Sequence, residues 1–525
     1  MTTYSKLSLD DVIDIYLEYE GKPPKIGCVR LDGQSKERVI YNMMGIGTGK
    51  EFTVHNNDIE TALRGVFERQ FCIEVEGQWR PPYEPIMGAF NPKSPFFTEL
   101  KKQRCFVPRL SEEKFLSTYR GLQLIRYTKA FLEIYISGLK SNDANVCAFV
   151  KTEKVDEDKD GASRIISPRN PRYGAALGVY IKAIEPVLFK AINRIYGEVT
   201  ILKGYSVEDL GKILRKKWDK FSTPVAVGLD AKRFDQSVRV PALKREHAAY
   251  ALFNNSAKLK KLLKRQLKTK TVLETPNGKL VYVTEGGRSS GDMNTTTGNC
   301  ELMCDTVYDY FAEATPLSID EFSLANNGDD CVIFVDVHNL HWLDGIPDWF
   351  LRRGFRMAIE EPVYEFELVE FCQTQPVFDG VNWICVRQPK NALAKDCLNI
   401  NCMKTEGEWN FQRKANSDCG LALYGNMPVF GAYYACLGRN IGKITKSYRR
   451  LDGLTYLFDQ AQGKPSARRE PTAMCRASFF TAFDITPDEQ IALEREYDAI
   501  MPKYNSPSPV VRFNYNIAAK QFFID

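Results

Sequence analysis

Four aspartates stand where carboxylate chemistry could be done: Asp230 and Asp235 in GLDAKRFDQSV, and Asp329 and Asp330 in NNGDDCVIFV. Carboxylates are hard oxygen donors and suit Mg²⁺, with Mn²⁺ as a substitute. Two such ions held about 3.5–4 Å apart support nucleotidyl transfer, one activating the attacking hydroxyl and the other stabilising the leaving pyrophosphate. For that, Asp230 and Asp329 must converge to bridge both ions, with Gly328 permitting a tight turn and Asp330 beside them as a further ligand or charge support. Gly-Asp-Asp alone is an ordinary turn composition. Between the two acidic sites, however, runs Ser290-Gly291-Asp292-Met293-Asn294-Thr295-Thr296-Thr297-Gly298-Asn299, a glycine loop that opens a helix continuing through ELMCDTVYDYFAE.

Convergence of the aspartates requires two neighbouring strands. PVAVGLD and CVIFVDV are apolar runs of strand length, each adjoining acidic residues. Around them the spacing predicts two helices over 111–139, started by Ser111 with Glu112 and Glu113, a strand at CAFVK, and a helix over GVYIKAIEPVLFKAINRIYG despite Pro186. Residues 1 to about 105 mix short strand-like runs with Gly and Pro punctuation and read as an N-terminal extension. Within it, Gly45-Ile46-Gly47-Thr48-Gly49-Lys50 suggests a phosphate loop, but Glu51 follows where Ser or Thr is needed and the glycine spacing is too short, so a turn is expected. Neither repeats nor low-complexity tracts occur.

Composition narrows the class. With 44% hydrophobic residues in 525, the chain can bury sizeable cores, which excludes disorder as the main reading. A net charge of +5, from 71 basic against 66 acidic residues, is too weak to name a nucleic-acid partner. Basic residues do gather at Lys258, Lys260, Lys261, Lys264, Arg265, Lys268 and Lys270, and again at Arg164, Arg169 and Arg172; a solvated face explains the first group equally well. The fourteen cysteines show no CxxC pair and read as reduced, buried thiols, as at Cys147, Cys331 and Cys385. Cys300 and Cys304 share a predicted helix face, yet four histidines supply no zinc-finger spacing. No run approaches the roughly 18 apolar residues that span a bilayer, and MTTYSKLSLDD lacks a signal-peptide core, so a soluble chain is expected.

In order and spacing the three acidic and glycine segments match the A, B and C motifs of RNA-dependent RNA polymerases. The chain resembles in particular the polymerases of tombusviruses and their relatives, through AFVKTEK, SRIISPRNPRYGAALGVYIKAIEP, GLDAKRFDQSV, GDMNTTTGN, EEPVYEFELVEFCQ, DCGLALYGNMPV and FDITPDEQ, over roughly residues 110–500. The resemblance implies an α+β right-hand fold in which an antiparallel palm sheet is flanked by helices. Fingers would come from 106–224 and 242–284, palm from 225–241 and 285–388, thumb and C-terminal region from 389–525. It implies ribose selection by Asp235, Ser290, Thr295 and Asn299, where a site built to bond a hydroxyl rejects the analogue lacking it. Lys151, Lys154, Arg164 and Arg169 resemble the triphosphate-binding fingers motif, and Phe371-Cys372-Gln373 the hairpin that grips the product strand. Where polymerases often place a Lys as proton donor, this chain has Arg356, a poor donor because it stays charged.

Kinship further implies copying of a positive-strand RNA genome on a single-stranded RNA template from rNTPs, initiation without a primer, and a viral accessory replication protein as partner. The expected setting is the host cytoplasm, in membrane-associated complexes. The membrane-anchored leader common upstream in such replicases is expected to be absent, leaving membrane association indirect. Three other readings compete. A reverse transcriptase uses the same carboxylates but carries a bulky aromatic near the Asp235 position; an RNA-binding capsid-like protein needs no paired carboxylates; a metal-dependent phosphohydrolase leaves the glycine loop and basic segment without roles.

Overall fold

The computed structural model describes residue 2 and residues 4–35, 37–44, 50–441 and 460–504. Alternation decides its central sheet. Along the strand Pro224–Ala231, Val225, Val227 and Leu229 alternate with Ala226, Gly228 and Asp230; along Asp330–Asp336, Cys331, Ile333 and Val335 alternate with Val332 and Phe334. Successive side chains point to opposite faces, so each strand offers apolar groups on both. One set joins a core built on the helices Pro171–Ile195 and Thr295–Ala314, and the other joins a second core with Trp218, Phe371, Ile384 and Tyr424. Strands covered on both faces read as unbroken apolar runs, which is why both were visible in the sequence. The sheet is antiparallel throughout, in the order Phe322–Asn327, Asp330–Asp336, Pro224–Ala231, Met357–Ile359.

A second sheet has five strands, in the order Lys25–Arg30, Gly278–Glu285, Lys268–Thr275, Val146–Val150, Ile165–Ile166. Its edge strand comes from the stretch read as an N-terminal extension, and that stretch continues across the molecule. Phe52–Thr53 pairs with Val155–Asp156, and Tyr41–Asn42 pairs with Leu398–Asn399. There the Met43 N–H donates to Cys397 O (2.8 Å), and the Trp409 indole Nε1 donates to Met43 O (2.6 Å). The first hundred residues are thus woven between the five-stranded sheet and the helices that follow Pro389. Of the Gly45–Lys50 loop, residues 45–49 lie outside the described residues, and Lys50 pairs with Asp156 at 2.8 Å.

Helices fall where the spacing placed them, at Glu112–Ser117 and Gly121–Ser137, and Pro171–Ile195 runs unbroken through Pro186. Thr295–Ala314 is buried around most of its circumference, including the acids Glu301, Asp305 and Asp309. Buried acids need partners. Arg245 meets Asp305 at 2.5 Å, and Arg353 meets Asp309 at 3.3 Å. After Pro389 the described chain is mainly helical: Pro389–Asp396, Glu406–Tyr424, Phe430–Leu437, Ala473–Phe483 and Pro487–Ala499. All fourteen cysteines are free thiols. Cys147 is exposed rather than buried, because alternation along Val146–Val150 turns it outward with Phe149. Cys300 and Cys304 lie in the core.

Candidate active site

A two-residue turn, Gly328-Asp329, joins the strands Phe322–Asn327 and Asp330–Asp336 and closes on the Asn327–Asp330 pair. Gly328 takes φ +87°, a conformation that a residue with a Cβ adopts only at a cost. Asn326, fully buried, braces the turn: its Nδ2 donates to Gly328 O (2.9 Å) and its Oδ1 accepts from the Gly328 N–H (3.3 Å). No local sequence signal marks that role. The register then sets Asp330 directly opposite Asp230, while Asp329 stands on the turn itself. Convergence of Asp230 with Asp329 is the expectation from sequence; the register gives Asp230 the cross-strand neighbour Asp330, with Asp329 on the adjoining turn, and opposed residues share one face of a sheet.

Like charges crowd this edge. The Asp330 side chain keeps contact with solvent, yet burial of its carboxyl, then the charges of Asp329, Glu370 and Asp230, push it up to about 6. Glu360, which sequence reasoning passed over, reaches across Gly228, where a Cβ would collide with its carboxylate. Its carboxyl is raised by burial and then by Glu370 and Asp230. Among the described residues no three His, Cys, Asp or Glu side chains form a finished metal-ligand set. What the edge supplies is opposed hard oxygen donors whose repulsion a divalent cation would relieve, and that donor chemistry fits Mg²⁺.

Beside the edge opens a cleft of about 440 Å³. Its lining brings together six of the residues chosen from sequence, Asp235, Thr295, Asn299, Asp329, Phe371 and Cys372, and adds Lys203 and Tyr205, which sequence reasoning missed. Asp235 sits in the short helix Phe234–Ser237 and accepts a 3.0 Å hydrogen bond from Asn299 Nδ2. Burial raises the Asp235 carboxyl, against the pull of the Asn299 amide and Arg288. The other amide atom, Asn299 Oδ1, is buried and has no partner among the described residues, in a residue only 6% exposed. A buried acceptor left unmet is costly, so this oxygen is suited to a hydroxyl donor entering the cleft.

Thr295 Oγ1 donates to Ser289 O (2.8 Å) and Asp292 O (3.1 Å), folding the glycine loop back on the helix start. Ser290 is turned elsewhere: its hydroxyl accepts from the Ser167 N–H (3.2 Å) and donates to Ile165 O (3.3 Å). Phe371 is buried at one end of a tight turn whose central residues, Cys372 and Gln373, both have positive φ (53° and 59°). That geometry usually takes Gly or Asn. The turn is docked on the acidic hairpin, since Asn327 Nδ2 donates to Cys372 Sγ (3.2 Å). Burial pushes the Cys372 thiol up to about 12.

The four basic residues divide. Arg164 is 59% exposed with Glu153 at 3.7 Å, and Lys151 pairs with Glu153 at 2.7 Å. Lys154 donates to Lys395 O, and burial lowers its amine to about 8. Arg169 is enclosed, with Asp292 at 2.5 Å and Ala144 O at 2.5 Å. None of the four lines the cleft. Arg356 donates to Glu74 O (3.1 Å) in the N-terminal stretch.

Residues 27–504 match the family model described as viral RNA dependent RNA polymerase. The chain is 40% identical over 470 residues to the RNA-directed RNA polymerase of Cucumber necrosis virus, covering 88% of this chain and 56% of that protein. It is likewise 40% identical over 466 residues to that of Tomato bushy stunt virus (strain Cherry), with 88% and 56% covered. Against the RNA-directed RNA polymerase of Turnip crinkle virus it is 36% identical over 493 residues, with 91% and 62% covered. The chain therefore spans a little over half the length of these curated relatives.

Proposed function

The chain belongs to the viral RNA-dependent RNA polymerase family, and from that premise we propose that it is itself the catalytic unit, copying a positive-strand RNA genome from rNTPs on a single-stranded RNA template. One observation carries the reading: Asp330 opposes Asp230 across the sheet with Asp329 on the adjoining turn, and Asp329 shares a cleft with the Asn299–Asp235 hydrogen bond. Asp230, Asp329 and Asp330 would hold two Mg²⁺ ions, which Mn²⁺ could replace. Bound there, the ions supply activation of the 3′-hydroxyl and charge stabilisation of pyrophosphate.

The protein's own groups choose and hold the nucleotide. Asn299 Oδ1 accepts the ribose 2′-hydroxyl, and Asp235 fixes the amide orientation by accepting from Nδ2. A deoxyribonucleotide leaves that buried acceptor unmet and is rejected. Arg164 and Lys151 meet the triphosphate, exchanging Glu153 for a more highly charged partner. Phe371, Cys372 and Gln373 hold the end of the nascent strand beside the aspartates.

In this reading the four-stranded sheet is the palm, and the five-stranded sheet, which unites strands from 146–166 and 268–285, belongs to the fingers. The helices after Pro389 form the thumb. The rest of the reading comprises initiation without a primer, a viral accessory replication protein as partner, and work in membrane-associated complexes of the host cytoplasm.

Labelled ribonucleotides and deoxyribonucleotides, offered with Mg²⁺ and an unprimed single-stranded RNA to the purified chain and to Asp329→Ala, test it. Template-dependent RNA synthesis is expected from the first and not from the second. Synthesis undiminished in Asp329→Ala would overturn the site.

A further inference from the structure

The helix Gly121–Ser137 is apolar on two opposed faces. Its inner side, with Tyr127, Ala130, Phe131 and Ile134, packs on Pro171–Ile195 and the core behind it. On the outer side Leu122, Ile125, Leu132, Tyr135 and Ile136 are 82%, 64%, 59%, 90% and 81% exposed. Positions 122, 125, 132 and 136 follow the three-and-four spacing of a single stripe, with Tyr135 at its rim. Isolated exposed apolar side chains are ordinary, but five along one side of a single helix, interrupted only by Thr128 and Lys129, mark a surface that meets something. The inner face already anchors the helix, so the outer stripe adds nothing to the fold.

Charge identifies what covers it. Arg120, Arg126, Lys129 and Lys140 stand exposed on or beside the stripe, against a single acid, Glu133. At the C-terminal end, Arg265 Nη1 donates to Lys140 O (3.0 Å) and brings up the helix Ala257–Lys264. That helix buries Leu259, Leu262 and Leu263 and leaves Lys258, Lys260, Lys261 and Lys264 in solvent. The basic run noted in the sequence thus touches, through Arg265, the loop that follows the helix Gly121–Ser137.

The geometry points to a docking surface for an anionic lipid membrane, with the stripe of Gly121–Ser137 entering the headgroup boundary and the flanking cations meeting lipid phosphates. An aliphatic face bordered by Lys and Arg is the composition of helices that lie in a bilayer interface. RNA would draw on aromatic and Arg planes for its bases, and Leu and Ile offer it little. A second copy of the same face would oppose Lys129 and Arg126 to themselves. Among the described residues no helix is long and apolar enough to cross a membrane, and a helix lying along the bilayer interface makes a peripheral contact. The surface lies outside the aspartate cleft and does not depend on its chemistry.

Flotation of the purified chain with vesicles of phosphatidylcholine, alone or mixed with phosphatidylserine, tests it. The chain is expected to float with the anionic vesicles, and about tenfold less with neutral ones. Ile125→Ser/Ile136→Ser should reduce flotation by a similar factor while RNA synthesis in solution is retained. Failure of the wild type to float, or flotation unchanged in the double variant, overturns the proposal. So does light scattering that finds a dimer in the wild type and a monomer in the variant, which would make the stripe a contact between copies. A variant that floats normally but loses retention of single-stranded RNA would reassign the surface to nucleic acid.

Discussion

Arg169 and Asp292 form a buried ion pair, Nε to Oδ1 at 2.5 Å and Nη2 to Oδ2 at 3.2 Å, that ties the segment after Ile165–Ile166 to the glycine loop. The guanidinium also bonds Ala144 O (2.5 Å), Thr269 Oγ1 (3.0 Å) and Ser289 Oγ (3.4 Å), which leaves none of its nitrogens for a triphosphate. Its role is to hold the loop from which Thr295 and Asn299 emerge. A lysine keeps the charge but lacks the planar fork. Arg169→Lys is therefore expected to lower kcat/KM for ribonucleotides about tenfold or more, and to lower the thermal midpoint as well. Steady-state kinetics and a melting curve check both, and an intact melting point would remove Arg169 from the scaffold.

Arg164 should behave in the opposite way. Being 59% exposed and only 3.7 Å from Glu153, it contributes little to the fold. Arg164→Ala is expected to leave the melting curve in place and to raise KM for rNTPs about tenfold or more, as loss of one charge-assisted phosphate contact does. Unchanged KM would exclude it from the triphosphate site.

Asn299→Ala addresses ribose selection. Removing the amide deletes the buried acceptor and frees Asp235 from its 3.0 Å donor. The preference for ribonucleotides over deoxyribonucleotides should fall about tenfold or more, chiefly through slower ribonucleotide addition. Competition between the two substrates on one template measures that ratio directly, and a ratio equal to wild type would dismiss the proposed hydroxyl contact.

The contrast between Arg164 and Arg169 also shows where sequence reading stops. The two are the same residue type five positions apart, and only tertiary burial separates the exposed cation from the enclosed one. The central strands were legible because burial on both faces leaves continuous apolar runs, and the glycine loop because its helix start is local. Register was not: whether Asp329 or Asp330 faces Asp230 depends on how many residues the turn consumes. Lys203 and Glu360 gave no signal because their contacts reach residues distant in the chain. The same holds for Tyr41–Asn42, whose strand partner lies beyond residue 397.

Asp309 gives the fold a pH dependence with a definite sign. Burial, then Asp305, raises its carboxyl to about 7 despite hydrogen bonds from the Phe96 N–H and Ser94 and the charge of Arg353. Between the unfolded value near 4 and the folded value near 7 the native state binds the extra proton, so stability falls as pH rises through that window and levels off above it. Asp309→Asn keeps an oxygen for the Phe96 N–H, 2.8 Å away, and cannot ionise. Melting at about pH 5 and about pH 7.5 should show a decline in the wild type and a smaller one in the variant. Equal slopes would mean that other groups carry the dependence.

Trp409 is the anchor of the N-terminal thread. It is 5% exposed, its indole donates to Met43 O at 2.6 Å, and Arg413 stacks over its ring at 4.0 Å. With Met43 and Met403 it forms a small core separate from the two large ones. Trp409→Ala should cost about 3–5 kcal/mol locally, since a large aromatic is removed from a closed site. Because the two-residue pairing of Tyr41–Asn42 with Leu398–Asn399 is too short to persist unaided, the loss should appear first as faster hydrogen exchange at residues 41–43, with the central strand Pro224–Ala231 still protected. If instead exchange rises equally in both places, the thread and the central sheet unfold as one unit, and the N-terminal stretch is part of the main core rather than a strap laid across it.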